Sequence, residues 1–560
     1  MRDAPGWRGA KYQAIVAANS SGARRRERER ASLAVTSALT KEAQAHLRAG
    51  FAALQQGRPR DAVEFCRKAI LAAPEYPEAH FLVGLVALDM NDRKTAARAF
   101  GSVTKLDPKH AAAWAQLARL FMRLGQPARA EKALNEAKAV SPTDAAVCDL
   151  IGVVSSMLGD QPEAKSWYLK AVGRAPGNEE YAVNLATACM FLGENDAAIE
   201  AVRPLLARAA PRAQAEWLYS SIVRQKDPAR PRALLDRARR SDPHAAAFLA
   251  YAAGKEFEDC GEWANAFDAF DVGARAKRST VEFDEAAEEE RFRSMGDIFE
   301  RRSCSPAPAG CEDASPIFVV GQPRTGTTLI ERIITSHSKV ESAGELQQFR
   351  LSAARLSQGG GAERSIGETL EAYAALDMKA LGAEYLRVSA PMRTGKPRFV
   401  DKLPGNYFYV PLILAALPNA RIIHLTRHPM DSCFASFKQL FAEAYPHSYD
   451  QREMARHFAR YAKLMATWRR LCPGRFLDVS YEAAVADLEP NARRIIDYLG
   501  LSWEDACLRF HEQDASVATA SAVQVREAAH TRSVGRWRRY ERELEPMLAE
   551  LRKSGIAVDP

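Results

Sequence analysis

The 560-residue chain has no apolar run approaching the ~20 residues that a membrane-spanning helix needs. Its first residues, MRDAPGWRGAKYQ, are polar and basic and contain no apolar signal core. Both absences lead to the expectation of a cytoplasmic protein. Its nine cysteines are scattered and none forms a Cys-x-x-Cys pair. This argues against a metal site and against a disulfide framework, and reduced buried thiols are expected instead. Charge of one sign is also missing. The net charge is +8, and the basic residues are spread along the chain. That pattern is not the footprint of a nucleic-acid-binding protein. Basic groups gathered around a small anionic molecule would account for part of the excess. What is present is ordinary globular material, 47% hydrophobic and 26% charged. The length calls for several domains.

Residues 1–40 read as a disordered basic tail, because SSGARRRERERAS is a charge run with few apolar residues. A period follows. Gly57, Asn91, Gly125, Gly159, Gly193, Asp227 and Gly261 stand 34 residues apart. Five residues after each come Ala62, Ala96, Ala130, Ala164, Ala198, Arg232 and Ala266. Pro74, Pro108, Pro142 and Pro176 close the units, and Pro211 and Pro243 follow slightly out of step. A 34-residue helix–turn–helix unit marked in this way is that of a tetratricopeptide repeat. The turn residue supplies a left-handed backbone, the alanine allows close helix packing, and the proline stops the second helix. About seven units are expected over 41–278. The sixth is weakest, with Asp227 at the turn and Arg232 at the alanine position, so a local distortion is expected there. Such a solenoid offers a concave surface to a protein or peptide; a rigid spacer or an oligomerisation arm is the plainer alternative. Residues 279–314 join the halves through a helical segment and the linker SCSPAPAGCEDASP.

The second half opens with SPIFVVGQPRTGTTLIERIITSH, a buried strand, a Gly-rich turn and an amphipathic helix. The pattern is that of a phosphate loop, Gly-x-x-x-x-Gly-Lys-Ser/Thr, with the lysine replaced: Gly321-x-x-x-x-Gly326-Thr327-Thr328. The free N–H groups and dipole of the helix N-terminus hold an anion. Arg324 adds a permanent charge with a donor fork, and Thr325, Thr327 and Thr328 add hydroxyls. A Gly-rich turn without a ligand is the plainer reading of the motif by itself.

Five stretches occur together and in order over about 315–540: GQPRTGTTLIERIITSHSKVESAGEL, RFVDKLPGN, RIIHLTRHPMDSCFASFKQLF, DVSYEAAVADLEPNARRIIDYLGL and TASAVQVREAAHTRSVGRW. With these the half resembles the sulfotransferase family, in spacing closest to the tyrosylprotein sulfotransferases and their bacterial relatives. The resemblance implies a P-loop-like α/β domain with a central parallel sheet over 315–560, joined to an all-α tetratricopeptide solenoid. It implies 3′-phosphoadenosine 5′-phosphosulfate as donor, no metal, and an acceptor hydroxyl on a peptide tyrosine, a carbohydrate or a small alcohol. By the same resemblance, Arg324, Thr325, Gly326, Thr327 and Thr328 hold the phosphosulfate, and Arg427 the 3′-phosphate. Family members have a serine eight residues after that arginine. Here Ala435 stands in its place; either Ser436, the residue assigned, or Ser432 supplies the hydroxyl after a small shift, or that contact is absent. Glu345 is implied as the general base and Lys402 as the group that stabilises the leaving oxygen. Tyr481, Ser521 and Arg536 are implied near the nucleotide. The rival enzyme reading is a nucleotide-dependent kinase or ATPase, against which the missing loop lysine argues. The third is a binding scaffold with a degenerate catalytic half, against which Glu345, Lys402 and Arg427 argue. A protein partner is expected on the repeats, and neither nucleic acid nor a membrane span.

Overall fold

The computed structural model describes residues 41–302, 310–357, 364–441, 444–513 and 524–558. The 1–40 tail, part of the linker, and Ser521 lie outside these residues. Two compact units divide the chain, one ending at Leu117 and the other starting at Ala118. No helix among the described residues is long and apolar enough to cross a membrane.

Seven helix pairs follow one another along 41–278, from 41–55 with Pro59–Ala72 to Pro243–Cys260 with Trp263–Arg278. The 34-residue register fixes their turns. Gly57, Asn91, Gly125, Gly159, Gly193 and Gly261 all have positive φ, between 57° and 90°. The six register alanines are fully buried, which is what close helix packing requires. In the sixth pair the helices shrink to Ala213–Ile222 and Ala229–Ala238. The side chain of Asp227 caps the N–H of Ala229 there, and Arg232 turns outward to pair with Glu262 at 2.7 Å. Pro243 does not close a unit. It occupies the first turn of its helix behind the Asp242 cap, where proline's missing N–H costs no hydrogen bond.

In the first unit, Leu47, Ala53, Ala62, Cys66, Leu82 and Val86 form the core. In the second, helix Glu285–Arg302 leads to a five-stranded sheet: β1 (Pro316–Gly321), β2 (Val340–Ser342), β3 (Arg398–Asp401), β4 (Arg421–Thr426) and β5 (Phe476–Ser480). All pairings are parallel, and the order is β2-β3-β1-β4-β5. β1 is buried along its whole length, as a central parallel strand covered on both faces must be. Its alternation separates two cores. Ile317 and Val319 face Ile330, Ile333, Val479 and Ile496. Phe318 and Val320 join a larger core that runs unbroken from Leu234 in the repeats to Leu551.

That larger core joins the last repeats to the sheet domain. The Phe267 ring stacks on Phe437 at 6.0 Å and meets Tyr540 at 6.2 Å. The Tyr251 hydroxyl donates to the Phe437 carbonyl at 2.9 Å. A cut at 278 therefore passes through one core. Phe267→Ala is expected to lower unfolding stability by ~3–5 kcal/mol, the cost of emptying a buried aromatic site. Denaturant unfolding read from a sheet-domain tryptophan checks it; an unchanged midpoint would mean that the repeats and sheet pack independently.

Candidate functional site

The carboxyl ends of β1, β3 and β4 carry the residues singled out in the sequence, the place where open parallel sheets bind ligands. Gly321 ends β1 with φ 150°, and a Cβ there would lie 2.7 Å from the Leu425 carbonyl oxygen. Only glycine lets the loop leave the strand so close to β4. Arg324 has φ 65° and Gly326 φ 100°, so the turn alternates through the left-handed region. This exposes successive backbone N–H groups ahead of helix Thr327–Thr335. A non-glycine residue held left-handed is characteristic of a functional loop. The Thr325 hydroxyl donates to the Gln322 carbonyl at 2.7 Å and braces the turn. Thr327 and Thr328 are buried at the start of the helix.

Arg427 lies just beyond β4 and reaches across to this loop. It donates to the Arg324 carbonyl at 2.9 Å and to the Ser533 carbonyl at 2.6 Å, and its guanidinium sits 4.6 Å over the Tyr481 ring. Its Nε is buried and unpaired. Tyr481, first residue of the helix after β5, packs against Gly326; a Cβ on Gly326 would lie 2.5 Å from the ring. Burial, and after it the charge of Arg427, press the Arg324 guanidinium down to about 10. Two guanidiniums in one buried site are stabilised by an anion.

The structure separates the two serines. Ser436 is buried and donates to the Pro323 carbonyl at 3.2 Å, so its hydroxyl braces the loop. Ser432 is also buried, and its hydroxyl has no partner. It lines a cavity of about 130 Å³ with Gln322, Thr325, Thr426 and Arg427. Asp431 accepts the N–H groups of Gly535 at 2.6 Å and Trp537 at 3.1 Å, which fastens the C-terminal segment to the helix that begins after Arg427. Arg536 in that segment pairs with Glu258 at 2.8 Å. Trp537 is buried and stacks on His428.

Beyond β3, Lys402 donates to Glu345 and lies 3.9 Å from Glu331. The two carboxylates differ in access. Glu345 is 41% exposed and open to an incoming group, whereas Lys402 is 1% exposed. Burial pushes the Glu331 carboxyl up, opposed by Lys402 and by the Ser342 hydroxyl, which donates at 2.6 Å. Burial pushes Asp401 up to about 8. Asp401 accepts the Tyr385 hydroxyl at 2.9 Å and the Leu346 N–H at 3.3 Å, and so fixes the residue after Glu345. Glu331 and Asp401 were missed in the sequence. Their signal was present, a carboxylate inside an apolar helix face or strand.

Among the described residues, Glu288, His447 and His457 are grouped as metal ligands can be. The two rings stack 3.5 Å apart, and both bring Nδ1 to the same Glu288 oxygen, at 3.3 and 2.9 Å. Arg460 takes the other oxygen at 2.7 Å. The carboxylate is thus already neutralised, and the group works as a hydrogen-bond hub. Its outer member, His457 Nε2, lies 3.3 Å from the amide of Gln322 in the loop after β1.

Residues 316–505 match the sulfotransferase family, and residues 43–76 and 87–152 match tetratricopeptide repeats. An uncharacterized protein of Aquifex aeolicus (strain VF5) is 35% identical over 245 residues, 42% of this chain and 32% of that protein. The match thus spans about a third of that relative's length. A "Putative protein-tyrosine sulfotransferase" of Caenorhabditis briggsae is 25% identical over 226 residues, 40% of this chain and 80% of that protein. The solved sulfotransferase domain of the Synechococcus PCC 7002 olefin synthase is 17% identical, covers 45% of this chain and 99% of its own, and gives a TM-score of 0.33. The chain carries a sulfotransferase-family domain and tetratricopeptide repeats.

Gly326→Ala is expected to lose ~1–3 kcal/mol of stability, the cost of a left-handed non-glycine residue. It is also expected to lose most of the melting-temperature rise that inorganic sulfate produces in the parent chain. A sulfate response of parental size in the variant would show that the loop is not the anion cradle.

Proposed function

We propose that the sheet domain transfers a sulfuryl group from 3′-phosphoadenosine 5′-phosphosulfate to an acceptor hydroxyl. The observation that carries this reading is the half-exposed Glu345 tied to the buried Lys402, on strand ends next to a loop whose Arg324 is met by Arg427 from beyond β4. The phosphosulfate is bound by the loop N–H groups with Arg324, Thr325, Gly326, Thr327 and Thr328. The 3′-phosphate is bound by Arg427, with the unpaired Ser432 hydroxyl nearby and Ser436 bracing the loop. Tyr481 bounds the nucleotide; Ser521 lies outside the described residues, and Arg536 is engaged by Glu258.

In the transfer, the acceptor oxygen attacks sulfur and the bond from sulfur to the bridging oxygen breaks. The acceptor proton passes to Glu345. The departing oxygen takes the negative charge, and Lys402 stabilises it. The Glu345–Lys402 ion pair keeps both groups poised: when Lys402 turns to the bridging oxygen, the carboxylate is released to act as base. The chemistry assigned here needs no metal. A peptide tyrosine is the favoured acceptor, from the name of the Caenorhabditis relative, with the repeats presenting the acceptor protein. Carbohydrate and small-alcohol hydroxyls are the other classes that fit. A cytoplasmic setting agrees with the described cysteines, all of which are free thiols.

Incubation of the full chain with sulfur-labelled donor, in EDTA, against peptide, carbohydrate and alcohol acceptors tests the reading. Label in a hydroxyl-bearing product is expected. A thermal response to Mg-ATP, with none to adenosine 3′,5′-bisphosphate, would replace it with the kinase or ATPase reading. Glu345→Gln is expected to reduce kcat by ~10²–10⁴, the usual loss for a general base, with donor affinity nearly unchanged. A more acidic acceptor is expected to rescue this variant in part but not Lys402→Ala. Parental turnover in Glu345→Gln at neutral pH would mean that the base lies elsewhere.

A further inference from the structure

Glu258 belongs to the seventh repeat, near the end of helix Pro243–Cys260, but the partners that hold it come from the sheet domain. Lys438 lies 3.0 Å from both of its carboxylate oxygens. Arg536 pairs at 2.8 Å, and the Tyr540 hydroxyl donates at 2.7 Å. The carboxylate is 7% exposed. Both cations stand on elements that form the anion site. Lys438 directly follows helix Pro429–Phe437, which starts beyond Arg427. Arg536 follows Gly535, which Asp431 of the same helix holds by its N–H. The charge of Arg324 in the loop also acts on Lys438.

We propose that Glu258 is a positioning residue for the donor site, a carboxylate lent by the last repeat that holds Lys438 and Arg536 behind the anion loop. The repeat array then helps to set how tightly the loop binds an anionic nucleotide, besides any part in presenting an acceptor. This inference rests on the sulfotransferase reading for the identity of the nucleotide.

The electrostatics support the geometry. The groups that face Lys438 are Glu258 from the repeat helix, Arg536 and Tyr540 from the C-terminal segment, and Arg324 from the loop; the Phe434 and Phe270 rings complete its surroundings. Burial first, then Arg536 and Arg324, press Lys438 down, to about 8, against the upward pull of Glu258. Glu258 stays ionised despite burial because Lys438 and Arg536 hold it below the usual carboxylate range. The sign follows. With Glu258 charged, Lys438 is a cation at neutral pH and becomes neutral as pH rises through about 8. Without that charge the upward pull is gone, and Lys438 becomes neutral at lower pH.

The test is the dissociation constant of adenosine 3′,5′-bisphosphate for the full-length chain, measured by calorimetry from about pH 6 to about pH 9. In the parent, affinity is expected to fall severalfold as pH rises through about 8. In Glu258→Gln the fall is expected to move down by about one pH unit or more, leaving affinity about tenfold weaker at mildly alkaline pH. In Lys438→Met affinity is expected to be weaker throughout and the fall to vanish. Lys438→Met leaves Glu258 paired with Arg536 and Tyr540, so it carries the test even where Glu258→Gln does not fold by circular dichroism. A Glu258→Gln profile identical to that of the parent, or a fall near pH 8 that survives in Lys438→Met, would overturn the inference. Absence of bisphosphate binding in the parent would overturn the donor reading; binding without the pH step would overturn the role of Glu258 alone.

Discussion

Arg427 joins the chain segments that make the proposed anion site, through two backbone carbonyls and one aromatic face. It holds Arg324 of the loop, Ser533 of the C-terminal segment and the Tyr481 ring. Each is distant in sequence from the others; the sheet brings Arg324 and Tyr481 near, because β1, β4 and β5 are parallel neighbours and end on the same side, and Asp431 brings the segment of Ser533 near by holding Gly535 and Trp537. The positive φ of Arg324 follows from the same constraint. Its carbonyl must point at Arg427 while the turn still delivers its N–H groups to the helix N-terminus. A regular strand-to-helix turn does not do both, so the strain at Arg324 and the glycines at 321 and 326 belong together.

Charge is distributed unevenly across the site, and the unevenness matches the proposed division of labour. Around the loop, Arg324, Arg427, Lys438 and Arg536 gather with Glu258 as the carboxylate tied to two of them. Partly buried cations that outnumber their carboxylates are stabilised by an anion, which suits this side to the proposed donor binding. Beyond β3 the balance is different. Lys402 is matched by Glu345 and approached by Glu331, a group that burial drives toward its neutral form. A nearly balanced centre suits the proposed proton transfer.

Local rules were readable and distant pairings were not. The 34-residue register gave the seven helix pairs, because each turn and each alanine obeys a constraint that lies within its own unit. The distortion at Asp227 was legible for the same reason. Pro243 misled because proline can either end a helix or open one, and the Asp242 cap decides which. The strand–turn–helix of the loop followed from an apolar run and its punctuation, and the parallel sheet from the family resemblance. The sequence pointed to Ser436, the neighbour of Ala435; its hydroxyl is taken by the Pro323 carbonyl, whereas that of Ser432 has no partner. Glu258 had no local signal. It is one charge on an amphipathic helix, and its partners stand at 438, 536 and 540.

The Glu258 contact also changes what the repeats are. A solenoid on a flexible tether acts on an enzyme mainly by raising the local concentration of what it holds. Here residues from 234 onward share an apolar core with the sheet, with Phe267 against Phe437 and Tyr540 and the Tyr251 hydroxyl on the Phe437 carbonyl. These contacts converge on Phe437, the residue before Lys438 and the end of the helix that starts beyond Arg427. The last repeat thus packs against the short helix that follows Arg427 and carries the proposed anion site. Energetic coupling needs an element with two arrangements that both sites bias, and helix Pro429–Phe437, with Arg427 before it and Lys438 after it, is the element that both the repeat and the loop touch.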